Sequence, residues 1–332
     1  MNKLMIAGDI GGTKTILQLL KTDGEQYQSL CNKRYASSEH ADFKALLAAF
    51  IHSSQSVIDN RPILSVCLGI AGPVNVRTAQ VTNLPWLIDA DVLQHELGIQ
   101  HVELINDFAA VGYGIDMLQE SDFYCLQTGT VIEKATRAVI GAGTGLGEGY
   151  LVWQSDGYVP MPSEGGHVDY APLNKIQIEL LQHLQTRFGH VSYERVVSGS
   201  GLINIYEFLV SKQQPTEVLQ HALVCGADQA AIIAEFALSQ KDELATRALD
   251  IFIEAYGAQA GNLALTCLAR GGIYIAGGIA PKLLSRIVAG DFMRAFREKG
   301  RFASLMASIP VKVVMNPEVG LHGAIRVAMQ SV

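Results

Sequence analysis

The chain has 332 residues, of which 49% are apolar, enough for about two domains of ordinary size. This composition excludes a disordered or fibrous protein. The net charge is 25 − 32 = −7, and no cluster of Lys or Arg interrupts the acidity. Because a nucleic-acid partner needs a basic stripe, we expect none.

The cysteines and the apolar stretches indicate the cellular compartment in which the protein works. The five cysteines are scattered and form no CxxC pair, which argues against a disulfide framework or a zinc ribbon. Asp9 interrupts the N-terminal apolar run before the core of a signal peptide could form. Polar residues likewise break the stretch from Gly257 to Pro281. We therefore expect a cytoplasmic protein with no membrane partner.

The first half of the chain alternates apolar runs with helical patterns, as an α/β unit does. Apolar runs predict strands at 3–8, 15–20, 63–70 and 102–105. Helical spacing predicts helices at 43–58, 90–97 and 108–117. Asn106 and Asp107 therefore stand where a strand ends and a helix begins.

The second half restarts the same pattern. Short apolar runs predict strands at 138–141, 149–153 and 273–276. Ser239 and Asp242 have the spacing of a capping box, which predicts a long helix to about Ala269, and a final helix is predicted from about Gly320. The strand–turn–strand units at 4–20 and 139–153 form a weak repeat, which indicates two duplicated domains facing each other across a cleft.

Three glycine turns follow strands: Asp9-Ile-Gly-Gly-Thr-Lys14, Gly143-Thr-Gly-Leu-Gly147 and Gly277-Gly278. Such turns let backbone N–H groups approach a phosphate, although a tight hairpin is the simpler explanation of any one of them. None has the spacing of a P-loop or of GxGxxG. It is the combination of the three that indicates a phosphate-binding protein.

These turns resemble motifs of the sugar kinases with the actin/hexokinase/Hsp70-type ATPase fold. The first two resemble the two phosphate motifs, and Ala276–Ala280 resembles the adenosine motif. Further strings occur in the order seen in bacterial-type glucokinases, which are related to the ROK sugar kinases: Leu84-Pro-Trp86, Ile105-Asn-Asp-Phe108, Ser163-Glu-Gly-Gly-His167, Tyr193-Glu-Arg-Val196 and Asn316–Gly323. The resemblance spans nearly the whole chain.

The resemblance implies an α/β fold of two duplicated actin-like ATPase domains (ribonuclease H-like) that face each other across a cleft. We expect a small domain at 1–117 plus 312–332 and a large domain at 118–311. It also implies transfer of the γ-phosphoryl group of ATP to the 6-hydroxyl of glucose, the first step of glycolysis. A homodimer is expected from the family, and the predicted helix near 241–269 either offers a face for it or packs into the core.

The resemblance assigns the sugar side of the cleft. Asp107 is implied as the general base, and the implied sugar ligands are Asn106, Glu164, His167 and Glu194. The zinc-containing ROK kinases follow this histidine with a cysteine cluster, whereas the next cysteine here is Cys225. We therefore expect no zinc.

The resemblance assigns the nucleotide side as well. The residues implied to bind ATP are Asp9, Gly11, Gly12, Thr13, Gly143, Thr144, Gly145, Gly277 and Gly278. Asp9 is implied to approach Mg²⁺ through water, since this cation keeps much of its hydration shell.

Alternatives remain open from the sequence alone. Asn106 and Asp107 are common helix caps, Asp9 is a common turn residue, and Glu194 has the character of a surface residue. A kinase of another hexose, such as fructose or N-acetylmannosamine, is the nearest alternative function. A sugar-sensing ATPase-fold protein is a further one; a repressor of this kind needs a DNA-binding segment, for which we expect no room before the turn at Asp9.

Overall fold

The structure is a computed structural model that describes residues 3–331. Its strands are β1 (Lys3–Ile10), β2 (Lys14–Thr22), β3 (Tyr27–Ala36), β4 (Ile63–Ile70), β5 (Val74–Asn75), β6 (Thr78–Gln80), β7 (Leu87–Asp89), β8 (His101–Asn106), β9 (Phe123–Gln127), β10 (Arg137–Ala142), β11 (Leu146–Gln154), β12 (Gly157–Met161), β13 (Gly272–Ala276) and β14 (Val311–Val314).

The helices are α1 (Phe43–Ser53), α2 (Gln55–Ile58), α3 (Ala90–Leu97), α4 (Asp107–Gly114), α5 (Lys175–Phe188), α6 (Gly199–Val210), α7 (Glu217–Cys225), α8 (Gln229–Leu238), α9 (Glu243–Thr266), α10 (Ile279–Lys282), α11 (Leu284–Val288), α12 (Asp291–Arg297), α13 (Ala303–Ser308) and α14 (Val319–Gln330). Short 3-10 helices lie at Ser37–Glu39, Ile115–Met117, Glu120–Asp122, Gly165–His167, Tyr193–Arg195 and Gly300–Phe302.

The chain divides into two compact units. The first contains the residues up to Glu120 and those from Asn316 onward, and the second runs from Ser121 to Met315. These boundaries differ by a few residues from the predicted domains 1–117 plus 312–332 and 118–311. Strand β14 accounts for one difference, because it pairs with β13 and β9 in the sheet of the second unit.

The first unit is built on a five-stranded sheet in the order β3-β2-β1-β4-β8, with a small sheet β5-β6-β7 beside it. Successive residues of a strand point to opposite faces, and β1 is buried on both. Leu4 and Ile6 pack in the cluster that includes α1, whereas Met5 and Ala7 pack against α14. Helices therefore cover both faces of this sheet.

Two glycines let α4 pack closely against α14 in the first unit. A Cβ added at Gly114 would lie 1.9 Å from the carbonyl oxygen of Val319, and one at Gly323 would lie 1.8 Å from that of Ala110. Any side chain at either position would force the helices apart. This contact fixes α4, whose first residue is Asp107.

The second unit is built on a six-stranded sheet in the order β12-β11-β10-β13-β14-β9. Strand β10 pairs antiparallel with β11 and parallel with β13. Strand β1 of the first unit has the same two kinds of neighbour, β2 and β4. The repeat predicted from the sequence is therefore present as two strand–turn–strand units in equivalent positions of two sheets.

Helix α9 lies in the core of the second unit. Most of its residues are buried, including Phe252 and Tyr256, and Tyr256 contacts Phe292 edge to face. Its apolar positions are thus used inside the unit.

No helix within residues 3–331 has the length and apolar character that crossing a bilayer requires.

The predicted capping box of Ser239 and Asp242 is wrong, although Asp242 does stand at the start of the long helix. Asp242 is the N-cap of α9 and accepts a hydrogen bond from Ala245 N at 2.8 Å. Ser239 instead ends α8, where its Oγ donates to the carbonyl of Glu235 at 2.8 Å. The two residues belong to the ends of different helices, so no box forms.

The predicted helix 43–58 is interrupted at Ser54. The Ser54 hydroxyl donates to the carbonyl of Phe50 at 2.9 Å, a side-chain bond that competes with the helical ladder. The segment therefore consists of α1 and the single turn α2.

Candidate active site

The first glycine turn joins β1 to β2 in the first unit. Gly11 N donates to the carbonyl of Lys14 at 2.9 Å, and Ser37 Oγ donates to the carbonyl of Gly11 at 2.7 Å. A Cβ at Gly12 would lie 2.8 Å from the carbonyl oxygen of Thr82. The turn is therefore held from two sides, and the second glycine is required by the close approach of another backbone.

Asp9 lies near the end of β1, opposite Ile16 of β2 and Gly69 of β4. Burial raises the pKa of its carboxyl group; Lys14 opposes this rise, and the negative charge of Glu318 adds to it. A carboxylate in such surroundings gains by pairing with a cation. Asp9 is thus suited to bind a hydrated metal ion.

Asn106 and Asp107 stand at the junction of β8 and α4, as predicted. Asn106 is the N-cap of α4: its Oδ1 accepts from Phe108 N at 2.9 Å and from Ala109 N at 3.3 Å. Its Nδ2 donates to the carbonyl of Gly72 at 3.3 Å. The capping role that the sequence left open is therefore present, and it fixes the orientation of the asparagine.

Asp107 is a partly buried carboxylate at the N-terminus of α4. Its Oδ1 accepts from Phe108 N at 2.8 Å. Burial raises its pKa to about 6, the Phe108 N–H opposes the rise, and the charge of Asp9 adds to it. A carboxyl group with this pKa is mostly ionised at neutral pH and accepts a proton more readily than an ordinary aspartate does.

The second glycine turn joins β10 to β11 in the second unit. Gly143 N donates to the carbonyl of Gly145 at 2.8 Å, and Gly199 N donates to the carbonyl of Gly143 at 2.9 Å. A Cβ at Gly143 would meet no atom within 4 Å, and Thr144 is exposed. The turn is thus open at Gly143 and exposes Thr144.

Glu194 lies in the 3-10 helix Tyr193–Arg195 and reaches the second glycine turn. Its Oε2 accepts from Leu146 N at 3.0 Å. A Cβ at Gly145 would lie 2.5 Å from the same oxygen. The side chain is therefore a structural partner of the turn, which the sequence did not indicate.

The loop Ser163–His167 packs on the start of β11. A Cβ at Gly166 would lie 2.0 Å from the carbonyl oxygen of Leu146, so the loop needs glycine there. Its polar side chains project outward: the side chains of Glu164 and His167 are 90% and 61% exposed, with 4.0 Å between Oε2 and Nε2. Both side chains are accessible to a ligand.

The third glycine turn follows β13, the parallel neighbour of β10. Gly277 has a φ of +80°, and a Cβ there would lie 2.5 Å from the carbonyl oxygen of Ala142. A Cβ at Gly278 would meet no atom within 4 Å. The second and third turns are therefore adjacent at the ends of neighbouring strands, where ligands bind in open α/β sheets.

A shallow groove of about 460 Å³ lies between α8 and the end of α10. Its walls are mostly apolar and include Ala231, Ala234, Leu238 and Leu283. Helix α10 begins directly after Gly278, and its last residue, Lys282, lines the groove.

Glu148 is a residue that the sequence analysis did not single out. It lies on β11, is 4% exposed, and its Oε1 accepts from Gln259 Nε2 at 2.8 Å. Burial raises its pKa to about 7, and the Gln259 amide opposes the rise. The sequence signal for it was a single charged residue within the strand Leu146–Gln154, which has no other charged residue.

The described part of the chain offers no ready-made cage for a metal. Among residues 3–331, no three His, Cys, Asp or Glu side chains form a group that could hold a metal ion. Mg²⁺ takes many of its ligands from water and phosphates.

Comparison with known proteins adds independent evidence. The sequence model of the glucokinase family matches residues 6–331. The glucokinase of Nostoc punctiforme is 44% identical over 336 residues, which cover 97% of each chain. That of Synechocystis is 42% identical over 347 residues and covers 98% of each chain.

The chain is also similar to solved structures of glucokinases. The glucokinase from an Antarctic psychrotroph has a TM-score of 0.84 and 27% identity, with 99% of both chains covered. A ROK family glucokinase from Streptomyces griseus, in complex with glucose and AMPPNP, has a TM-score of 0.64 and 20% identity, with 98% of this chain and 99% of that chain covered. At 20% identity, the second comparison supports the fold alone.

Two sheets with equivalent glycine turns, together with these likenesses, define a sugar kinase of the actin-like ATPase fold. The predicted fold class is confirmed. More particularly, the chain belongs to the glucokinase family of ATP-dependent hexose kinases, so the resemblance found in its motifs is confirmed as well.

Proposed function

We propose that this chain transfers the γ-phosphoryl group of ATP to the 6-hydroxyl of glucose, yielding glucose 6-phosphate and ADP in the first step of glycolysis. The observation that carries the proposal is the environment of Asp107. This carboxylate begins α4, is oriented by Phe108 N, and has its pKa raised to about 6 by burial. Membership of the glucokinase family supports the same reaction.

Asp107 is the proposed general base. It accepts the proton of the 6-hydroxyl as that oxygen forms a bond to the γ-phosphorus, while the bond from the γ-phosphorus to the bridging oxygen breaks and ADP leaves. The N–H of Phe108 holds the carboxylate in one orientation. Because the base is already oriented, the entropic barrier to bringing it up to the hydroxyl is smaller.

Four residues are proposed to bind the hydroxyls of the sugar: Asn106, Glu164, His167 and Glu194. The exposed carboxylate and imidazole of the glycine loop, 4.0 Å apart, suit neighbouring hydroxyls of a pyranose. Asn106 is held by the cap of α4. Donors and acceptors that pair with the hydroxyls of one sugar discriminate against another, because a wrong partner leaves them unpaired.

The three glycine turns are proposed to bind ATP. The residues concerned are Gly11, Gly12, Thr13, Gly143, Thr144, Gly145, Gly277 and Gly278. Open space at the Cβ positions of Gly143 and Gly278 supports approach of phosphate oxygens to the backbone. The apolar groove beyond α10 supports an adenine base.

Mg²⁺ fits this arrangement. Asp9 offers one carboxylate, and water molecules and phosphate oxygens would complete the coordination shell of the cation. When bound, the cation neutralises charge on the transferring phosphates. Asp9 would hold it through water. We retain the prediction that zinc has no part in the reaction.

We further propose a cytoplasmic homodimer without nucleic-acid or membrane partners. Analytical ultracentrifugation of the purified chain tests the dimer directly. Since α9 is largely buried, another surface must form the contact.

The proposed function is tested by a coupled assay of sugar 6-phosphate formation with ATP and a panel of glucose, mannose, fructose and N-acetylmannosamine. We expect the highest kcat/KM with glucose. A preference for fructose or N-acetylmannosamine would replace glucose with the nearest alternative. ATP hydrolysis that no sugar accelerates would instead favour a chaperone-like or cytoskeletal ATPase of the same fold, which has no sugar substrate.

A further inference from the structure

A chain of hydrogen bonds, buried at Glu148 and Gln259 and partly buried at Asn262, runs along α9 in the second unit. Gln259 Nε2 donates to Glu148 Oε1 at 2.8 Å, and Asn262 Nδ2 donates to Gln259 Oε1 at 3.1 Å. Gln259 and Asn262 are three residues apart, so they lie on the same face of the helix. The chain thus connects β11 to the polar face of α9.

One end of this chain reaches the turn that carries Glu194. Asn262 Nδ2 donates to the hydroxyl of Tyr193 at 3.0 Å, and Tyr193 directly precedes Glu194. Lys299 Nζ donates to Asn262 Oδ1 at 2.8 Å, which fixes the orientation of the amide. The position of Tyr193 therefore depends on α9.

The other end lies beneath the glycine loop that carries Glu164 and His167. A Cβ at Gly165 would lie 2.3 Å from Glu148 Oε2, so the buried carboxylate is in direct contact with the loop backbone. Gly165 N in turn donates to Ser163 Oγ at 3.0 Å. The carboxylate of Glu148 thus forms the floor of the loop.

We propose that Glu148 is a positioning residue for sugar binding, because the chain Glu148–Gln259–Asn262–Tyr193 fixes the loop 163–167 relative to the turn 193–195. The inference rests on the proposed function, in which these two segments supply Glu164, His167 and Glu194. A buried polar chain is costly unless every member is paired. An apolar core would serve packing alone at lower cost.

The test is Glu148→Leu in the full-length chain, with Glu148→Gln as the conservative variant. Leucine removes the acceptor of Gln259, whereas glutamine retains an acceptor of similar size. We expect Glu148→Leu to raise the dissociation constant of glucose, measured by calorimetry, about tenfold or more. The KM for ATP should change much less, and Glu148→Gln should retain most of the affinity.

The matched control is Glu254→Leu. Glu254 lies on α9 and, like Glu148, accepts from a glutamine amide, Gln177 Nε2 at 2.6 Å. It also accepts from Asn174 Nδ2 and Arg294 Nη2, and none of these residues belongs to the loop 163–167 or the turn 193–195. Its substitution should lower the melting temperature and leave the glucose affinity unchanged. Equal losses of glucose affinity in Glu148→Leu and Glu254→Leu would overturn the inference.

A double variant separates positioning from stability. Replacing both partners of a buried hydrogen bond by apolar groups can restore stability, so Glu148→Leu with Gln259→Leu should regain melting temperature but not glucose affinity. Recovery of both would overturn the inference. Should Glu148→Leu not fold, Gln259→Leu decides, and unchanged glucose affinity there would equally overturn it.

The wild-type chain distinguishes this inference from the proposed function. If it does not phosphorylate glucose, the proposed function fails. If it does, and Glu148→Leu binds glucose as tightly as the wild type, only the positioning role fails.

Discussion

Glu194 and Leu146 are joined by a hydrogen bond of 3.0 Å between the carboxylate Oε2 and the backbone N–H. Leu146 begins β11 directly after the second glycine turn, and Glu194 is a proposed sugar ligand. One side chain therefore contacts the backbone of the proposed phosphate site and is also expected to bind glucose.

Substitution of Glu194 should therefore affect both substrates. Glu194→Ala leaves Leu146 N without its partner, at a cost of about 1–3 kcal/mol, and removes a sugar ligand. We expect the KM values for glucose and for ATP both to rise, and Glu194→Gln to have the smaller effect on ATP. Initial rates with each substrate varied in turn provide the measurement. An unchanged KM for ATP in Glu194→Ala would show that the hydrogen bond does not support the turn.

Asp107→Asn should remove the proton-accepting carboxylate and keep a side chain of nearly the same shape. We expect kcat to fall by roughly 10²- to 10⁴-fold, the usual span for a positioned general base, with glucose binding largely retained. Asp42→Asn is a matched control, since Asp42 also accepts from a backbone N–H at a helix N-terminus, Ala45 N at 2.8 Å. Turnover close to wild type in Asp107→Asn would exclude the assignment.

The pH dependence of the wild type follows from the same group. The base works when ionised, and burial raises the pKa of Asp107 to about 6. Plotted against pH, kcat/KM should therefore be constant above neutrality and fall as the pH decreases through about 6. A profile still flat at pH 5 would mean that Asp107 is not the base of the free enzyme.

Much of the fold could be predicted because its central elements have clear periodicity. The strand 63–70 and the helix 90–97 were predicted with the bounds that β4 and α3 have in the structure. Strand β3 (Tyr27–Ala36) was missed, since it lies at the sheet edge and its residues are only partly buried or exposed. Its sequence accordingly has no continuous apolar run to reveal it.

The candidate site was predictable where a motif is local in sequence and not where it depends on distant contacts. The junction at Asn106 and Asp107 followed from a strand running into a helix. The bond from Leu146 N to Glu194 joins residues 48 apart, and the bond from Gln259 to Glu148 joins residues 111 apart. No spacing rule reports contacts of that kind, because they arise from packing of elements.

His167→Ala should act on the sugar rather than on ATP. The side chain is 61% exposed, so little folding energy depends on it, whereas a lost hydrogen bond to glucose should raise its KM about tenfold. His190→Ala is a close control: its side chain is 60% exposed and pairs with a carboxylate, Asp169, at 2.9 Å. Equal effects on the KM values for glucose and ATP, together with a lower melting temperature, would instead indicate that His167 braces the loop.

Removal of metal should distinguish magnesium from zinc. Depleting Mg²⁺ should abolish phosphoryl transfer, because the charge of the phosphates is then no longer neutralised. Chelators selective for zinc should leave the rate unchanged. Asp9→Asn should raise the concentration of Mg²⁺ needed for half-maximal activity. Elemental analysis that finds stoichiometric zinc in the purified protein would contradict this prediction.

Glu148 should make the stability of the second unit depend on pH. Burial raises its pKa to about 7 from an ordinary value of 4.5, so the folded state favours the protonated form. The cost of ionising it is absent below pH 4.5, grows as the pH rises, and reaches roughly 3 kcal/mol above pH 7. Its titratable neighbours Tyr193, Tyr256 and Cys267 have pKa values raised by burial and stay neutral throughout.

Glu148→Gln removes that cost, because a carboxamide cannot ionise. The melting temperature of the variant minus that of the wild type should therefore increase by several degrees between pH 4.5 and pH 8, with the change centred between pH 4.5 and 7. Thermal unfolding at closely spaced pH values gives this difference, with the surface substitution Glu207→Gln as the control. A difference that stays constant over this range would mean that Glu148 ionises as easily in the folded protein as in the unfolded chain, and that its burial carries no electrostatic cost.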